Sequence, residues 1–170
     1  MMTSEPDWSA VRAIVMDIDG TLTDGGIFIN DSGEESKRYD VRDGFGIALW
    51  HKAGGRTGVV TGRRGLALTH RMRELSITAV EQGASDKVAA LDRILAGWNI
   101  SRGQCVFVGD DIPDLAVMRS GVIAVAVADA APEVRAAAHG VTTAPGGHGA
   151  LREVVEEILR AQKKWDALIA

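Results

Sequence analysis

The sequence predicts an α/β fold, a parallel sheet covered by helices on both faces, and three observations predict it. Short apolar runs recur along the chain, at Val11–Met16 (broken only by Arg12), Gly58–Val60, Ile77–Val80, Cys105–Val108 and Val122–Val127. Runs of that length read as buried strands. Amphipathic stretches of helical period lie between them, and such alternation builds a parallel sheet with helices on its faces. Glycine is abundant, 20 of 170 residues, which fits many tight loops, and loops carry chemistry.

In chain order, the helical stretches are about Phe45–Ala53, Leu66–Leu75, Asp86–Trp98 and Leu115–Arg119, with a last helix over about Leu151–Trp165. One segment breaks the alternation. Gly26–Asn30 reads as a short strand, Asp31-Ser32-Gly33 as a turn and Ser36–Val41 as a second strand, so residues 25–41 read as a protruding β-hairpin arm. Ile27, Phe28 and Ile29 are apolar in succession, so both faces of that arm want cover. Another subunit packing on the hairpin supplies it; an arm folded back on its own domain is the alternative.

The length gives one domain over residues 1–170, with a C-terminal tail and helix at about 145–170. No repeat or linker-like tract divides it. Nineteen Lys plus Arg against 23 Asp plus Glu give a net charge of −4, which disfavours a nucleic-acid partner, as does the lack of an aromatic stacking platform. The single cysteine, Cys105, excludes an internal disulfide and fits a reducing compartment. The start, Met1–Trp8, is polar and acidic, unlike a signal peptide. No apolar run approaches the roughly 18 residues of a membrane span. A cytoplasmic protein is expected.

In such sheets ligands bind at the C-terminal ends of strands, so residues just after the apolar runs carry the chemistry. Asp17-Ile18-Asp19-Gly20-Thr21-Leu22-Thr23 follows the first run directly. Two carboxylates two residues apart converge on one small site, and Gly20 permits a sharp turn. A calcium loop requires a bidentate Glu at its twelfth position; the twelfth residue from Asp17 is Phe28, which excludes it. Gly109-Asp110-Asp111-Ile112-Pro113-Asp114 follows another strand. One acid suffices to cap a helix, whereas three crowded acids call for a cation, and a hard divalent ion such as Mg²⁺ suits carboxylates and carbonyls. Thr61-Gly62-Arg63 ends a strand and opens a helix, the setting of an anion site. Lys87 opens another helix, where a fixed ammonium can hold a phosphoryl oxygen; alone it reads as a surface lysine.

Taken together, and in this order, the Asp17–Thr21 string, Thr61-Gly62-Arg63, Lys87 and the Gly109–Asp114 string resemble the four motifs of the phosphatase branch of the haloacid dehalogenase superfamily. That resemblance implies a Rossmann-like sheet and phosphoryl transfer, in which charge on the transferred group needs fixed positive partners. It implies Asp17 as the nucleophile that forms an aspartyl-phosphate, and Asp19 as the acid that protonates the leaving oxygen and then the base that activates water. It implies Thr61 and Lys87 as holders of phosphoryl oxygens. Mg²⁺ would bind the Asp17 and Asp110 carboxylates and the Asp19 carbonyl. Asp111 and Asp114 would orient waters and Lys87, and Thr21, Gly62, Arg63, Asp111 and Asp114 are the candidates around the substrate. Neither the gap from Asp19 to Thr61 nor that from Thr61 to Lys87 holds a cap domain, so this is a capless member and a neighbouring subunit is the economical way to control water.

Further strings resemble the capless family of 3-deoxy-manno-octulosonate 8-phosphate (KDO 8-phosphate) phosphatases, over about Ala13–Leu159. They are Asp19–Gly25, Arg42-Asp43-Gly44, Val127-Ala128-Asp129-Ala130 and Gly146-Gly147-His148-Gly149-Ala150 with Arg152-Glu153. The resemblance implies a homotetramer built through the hairpins, a C-terminal segment that reaches a site, and a product that feeds lipopolysaccharide synthesis. Arg64 and Thr21 depart from that family's usual residues. A nine-carbon sialic-type 9-phosphate (KDN or N-acylneuraminate) is the alternative substrate, and a non-catalytic oligomeric module the alternative class. Arg42 and Asp43 either line the entrance or cap the helix at Phe45. The four histidines lack metal-ligand spacing, His148 reads as a flexible tail residue, Cys105 as a small hydrophobe, and Trp50, Trp98 and Trp165 as packing residues.

Overall fold

The computed structural model describes residues 6–170; residues 1–5, most of the polar start, lie outside the described part. Six parallel strands form the sheet: β1 Ala13–Met16, β4 Arg56–Thr61, β5 Ala79–Gln82, β6 Cys105–Gly109, β7 Ile123–Ala126 and β8 Gly140–Val141. Their order is β5-β4-β1-β6-β7-β8. Ala13 pairs with Arg56 on one side and Cys105 on the other. All four residues of β1 are buried, as the uninterrupted apolar run requires of a central parallel strand.

The chain winds outward from β1 in both directions. α1 (Val41–Lys52) and α2 (Leu66–Glu74) follow the path from β1 through β4 to β5; α3 (Lys87–Trp98), α4 (Leu115–Met118) and α5 (Pro132–Ala137) follow the return path from β5 through β6 and β7 to β8. Right-handed crossovers place these two groups on opposite faces. α6 (Ala150–Ala161) packs on α1, and α3 on α4. The winding reverses at β1, so a crevice opens beyond its C-terminal end, and Asp17 is the first residue there.

The hairpin is present but short: β2 Phe28–Ile29 pairs antiparallel with β3 Glu35–Ser36, and a Thr23–Tyr39 bridge ties its base. The second arm was expected to run to Val41; instead Asp40 caps α1, its carboxylate accepting the Arg42 N–H at 2.8 Å, and Val41 is already helical. The last helix breaks at Gln162–Lys164, where Lys163 has φ 57°, and α7 (Trp165–Ile169) begins anew with Trp165 buried. Neither α5 nor β8 was expected.

The glycine string after Thr142 is an ordered turn and no loose tail. A Cβ on Gly146 would lie 1.7 Å from the Gly20 carbonyl oxygen, and the Gly147 N–H donates to the Thr21 carbonyl at 3.0 Å. This turn is the floor of the loop that carries Asp17 and Asp19 in the same chain. His148 is exposed but its ring nitrogen lies 2.8 Å from the Gly146 carbonyl oxygen. Asp43 caps α6 rather than its own helix, accepting the Gly149 and Arg152 N–H groups at 3.1 Å each.

Candidate active site

Asp17 leaves β1 with its backbone N–H donating to the Val108 carbonyl, which fixes the motif loop to β6. The next turn closes on one acceptor: the N–H groups of Thr21, Leu22 and Thr23 all donate to the Ile18 carbonyl. Gly20 is at φ +88°, and a Cβ there would lie 2.1 Å from an Asp110 carboxylate oxygen. A side chain at position 20 is therefore excluded twice, by conformation and by the approach of Asp110.

Lys87 bridges two buried acids. Its Nζ lies 3.1 Å from Asp17 Oδ2 and donates to Asp114 Oδ1 at 2.8 Å. Burial works against the Lys87 charge, but Asp114 and Asp17 outweigh it and hold its pKa above the ordinary lysine value. Burial and the Asp114 charge push the Asp17 carboxyl up, against the pull of Lys87. Asp110 is pushed up to about 7, by burial and by the charges of Asp114, Asp17 and Asp111, with the Thr21 hydroxyl opposing.

Carboxylate atoms of Asp17, Asp110 and Asp114 lie within 4.8 Å of one another. Asp114 is already engaged: its second oxygen accepts the Asp110 N–H at 3.0 Å. Asp17 Oδ1 is buried with no hydrogen-bond partner. One ammonium for three acids leaves an excess of negative charge, and one Asp17 oxygen has no donor to offset it. Asp17 and Asp110 thus fit a hard divalent cation. The backbone hydrogen bonds of the turn converge on Ile18 and leave the Asp19 carbonyl aside, which suits it to the same ion.

The expected residues separate into two groups. Asp17, Asp19, Lys87, Asp110 and Asp114 surround the crevice, and Thr61, buried at the end of β4, accepts the Arg63 N–H at 3.3 Å. Gly62 is exposed at the mouth. Three of the expected substrate contacts are turned elsewhere. Thr21 is fully buried and donates to Asp110 Oδ1 at 2.9 Å. Asp114 is fully buried beneath Lys87. Asp111 is exposed and caps the short 3₁₀ turn Ile112–Asp114 through the Ile112 N–H at 2.8 Å. A turn's sequence names its polar residues but not the side each faces.

The structure adds residues that the sequence reading passed over. Lys37 of the hairpin makes an ion pair with Asp19, and Arg63 makes one with Glu35 while its Nε lies 3.6 Å from Asp19 Oδ2. Tyr39 lies behind them; burial and the Asp19 charge push its phenol up to about 12. The signal was the period of two in Glu35, Lys37 and Tyr39, overlooked beside the apolar arm.

Residues 75–153 match the haloacid dehalogenase-like hydrolase family. The KdsC 3-deoxy-D-manno-octulosonate 8-phosphate phosphatase of Yersinia pestis is 42% identical over 156 residues, 92% of this chain and 83% of that protein. Its counterpart in Escherichia coli K12 is 39% identical over the same shares. The Moraxella catarrhalis phosphatase of that name, solved with a magnesium ion, a phosphate ion and KDO, superposes with a TM-score of 0.93 at 36% identity, covering 96% of this chain and 94% of that one. With an acidic pair and a bridging lysine at the edge of β1, and with identity at this level along nine-tenths of its length, the chain belongs to the 3-deoxy-D-manno-octulosonate 8-phosphate phosphatase family of haloacid dehalogenase-like hydrolases.

Proposed function

We propose that this protein is a magnesium-dependent phosphomonoesterase that hydrolyses 3-deoxy-D-manno-octulosonate 8-phosphate to KDO and phosphate. The observation that carries the reading is Asp17, buried at the sheet's switch point with one oxygen paired to Lys87 and the other without a partner. Asp17 attacks phosphorus in line, the ester bond breaks, and Asp19 gives the leaving alkoxide a proton. The aspartyl-phosphate on Asp17 is then cleaved by a water whose proton Asp19 takes back. Lys87 and the Thr61 hydroxyl hold phosphoryl oxygens, and Asp114 holds Lys87 charged and in place. The Asp17 and Asp110 carboxylates and the Asp19 carbonyl would hold Mg²⁺. Bound there, it neutralises enough negative charge for an anionic nucleophile to meet an anionic ester.

The described chain is read as one catalytic domain with no cap, assembled as a homotetramer through its hairpins. Phe28 and Ile29 stand 61% and 68% exposed at the hairpin tip, an apolar patch that supports the assembly. A sugar acid phosphate, which carries both a carboxylate and a phosphate, does not cross a bilayer unaided, which supports a cytoplasmic place of action. The test is phosphate release from KDO 8-phosphate, a nine-carbon sialic-type 9-phosphate and p-nitrophenyl phosphate, each with Mg²⁺ and with EDTA. Preferred Mg²⁺-dependent turnover of the eight-carbon acid is expected; preference for the nine-carbon acid overturns the substrate, and turnover unaffected by EDTA overturns the metal.

A further inference from the structure

From Glu35 to Tyr39 the hairpin alternates half-buried and exposed residues, with Glu35, Lys37 and Tyr39 on the inner side and Ser36 and Arg38 outside. The Lys37 side chain is only 2% exposed, a setting a lysine occupies when its ammonium is paired. It is paired twice, by a hydrogen bond to Asp19 Oδ1 and by Glu35 Oε1 at 3.3 Å. Arg63 closes the figure. It binds Glu35 and sets its Nε 3.6 Å from Asp19 Oδ2. Two cations and two anions thus form a closed quartet, in which Lys37 hydrogen-bonds one Asp19 oxygen while the other, Oδ2, lies near Arg63 with no hydrogen bond.

The motif turn does nothing comparable for Asp19. Its backbone hydrogen bonds converge on Ile18, and among the described residues Lys37 is the sole hydrogen-bond donor to the Asp19 carboxyl. An acid that must meet a leaving oxygen has to be held in one orientation, since a misplacement of about 1 Å costs on the order of a hundredfold in rate. We propose that Lys37 is a positioning residue: delivered by the hairpin, it holds the Asp19 carboxyl where the leaving oxygen arrives. The inference rests on the reading of Asp19 as the proton donor. A lysine that instead grips the substrate's own carboxylate is the competing role, and it predicts different kinetics.

The experiment compares Lys37→Met, which keeps most of the stem's packing, and Lys37→Arg, which restores the charge, with the parent enzyme on KDO 8-phosphate. Lys37→Met should lower kcat by about 10–100-fold and move KM by less than about threefold, with part of the loss recovered by Lys37→Arg. In an Asp19→Asn background, Lys37→Met should cost nothing further, because the group it positions is gone. A raised KM at unchanged kcat overturns the proposal in favour of substrate binding. So does a loss of the same size in the Asp19→Asn background. Circular dichroism checks folding, and Lys37→Gln carries the same comparisons if the Met variant does not fold. Full activity of Asp19→Asn alone overturns the acid–base reading itself, whereas wild-type kcat in the Lys37 variants overturns only the positioning role.

Discussion

Between Asp17 and Asp114, Lys87 faces two acids of opposite dispensability. Asp17→Asn leaves the Lys87–Asp114 pair intact. It should abolish phosphate release, by at least about 10³-fold, while the thermal midpoint stays within a few degrees. Lys87→Met removes the cation from between two buried carboxylates and should destabilise the fold by about 3–5 kcal/mol in urea titration as well as stopping turnover. Cys105 answers to pH. Burial pushes its thiol up to about 12, so the folded state disfavours the thiolate. Its contribution is complete below the unfolded value of about 8.5 and is lost as pH rises toward the folded one. Between about pH 9 and 10.5 the parent should lose stability about 1.4 kcal/mol per pH unit faster than Cys105→Ala, read from urea midpoints. The acids themselves were legible, because carboxylates directly after a buried apolar run stand out. Their directions were not: Thr21 and Asp114 face inward and Asp111 outward, and no pattern of residue types separates these.

At the scale of elements, Gly46 and Asp43 set the joint between α1 and α6. A Cβ on Gly46 would lie 2.9 Å from Arg152 Cα, so the helices meet backbone to backbone. Asp43 then reaches across to cap α6. Asp43→Ala should cost about 2 kcal/mol in urea titration, because it strands the buried Gly149 N–H and the part-buried Arg152 N–H, with Asp43→Asn retaining part. That role was invisible in sequence, where Asp43 stands beside its own helix and 106 residues before Gly149. The start of α1 was hidden because Arg42, Asp43 and Gly44 break the apolar periodicity there. β1, β4, β6 and β7 were legible as apolar runs; β5 was expected over Ile77–Val80 and lies at Ala79–Gln82, half-buried and ending on Glu81 and Gln82. β8 has two residues and α5 is a single Pro-led, Ala-rich stretch, too short for a period to register.

On the scale of the whole molecule, the hairpin presents two unlike sides. Its tip is apolar and exposed, and its inner side enters the site. Replacing Phe28 and Ile29 by Glu should convert the proposed tetramer to a lower-mass species in sedimentation and reduce turnover, with little change in circular dichroism. A parent protein of monomeric mass would remove the assembly from this account. The Gly146–Gly147 wedge beneath Gly20 and Thr23 has a consequence of another kind. The Asp17–Thr23 loop is synthesised early, but its floor comes from residues made well over a hundred positions later. At ribosomal speeds the loop waits on the order of ten seconds for that floor. A nascent chain that ends just before Gly146 therefore carries Asp17, Asp19, Lys87 and Asp110 and still lacks the surface packed beneath the Asp17–Thr23 loop.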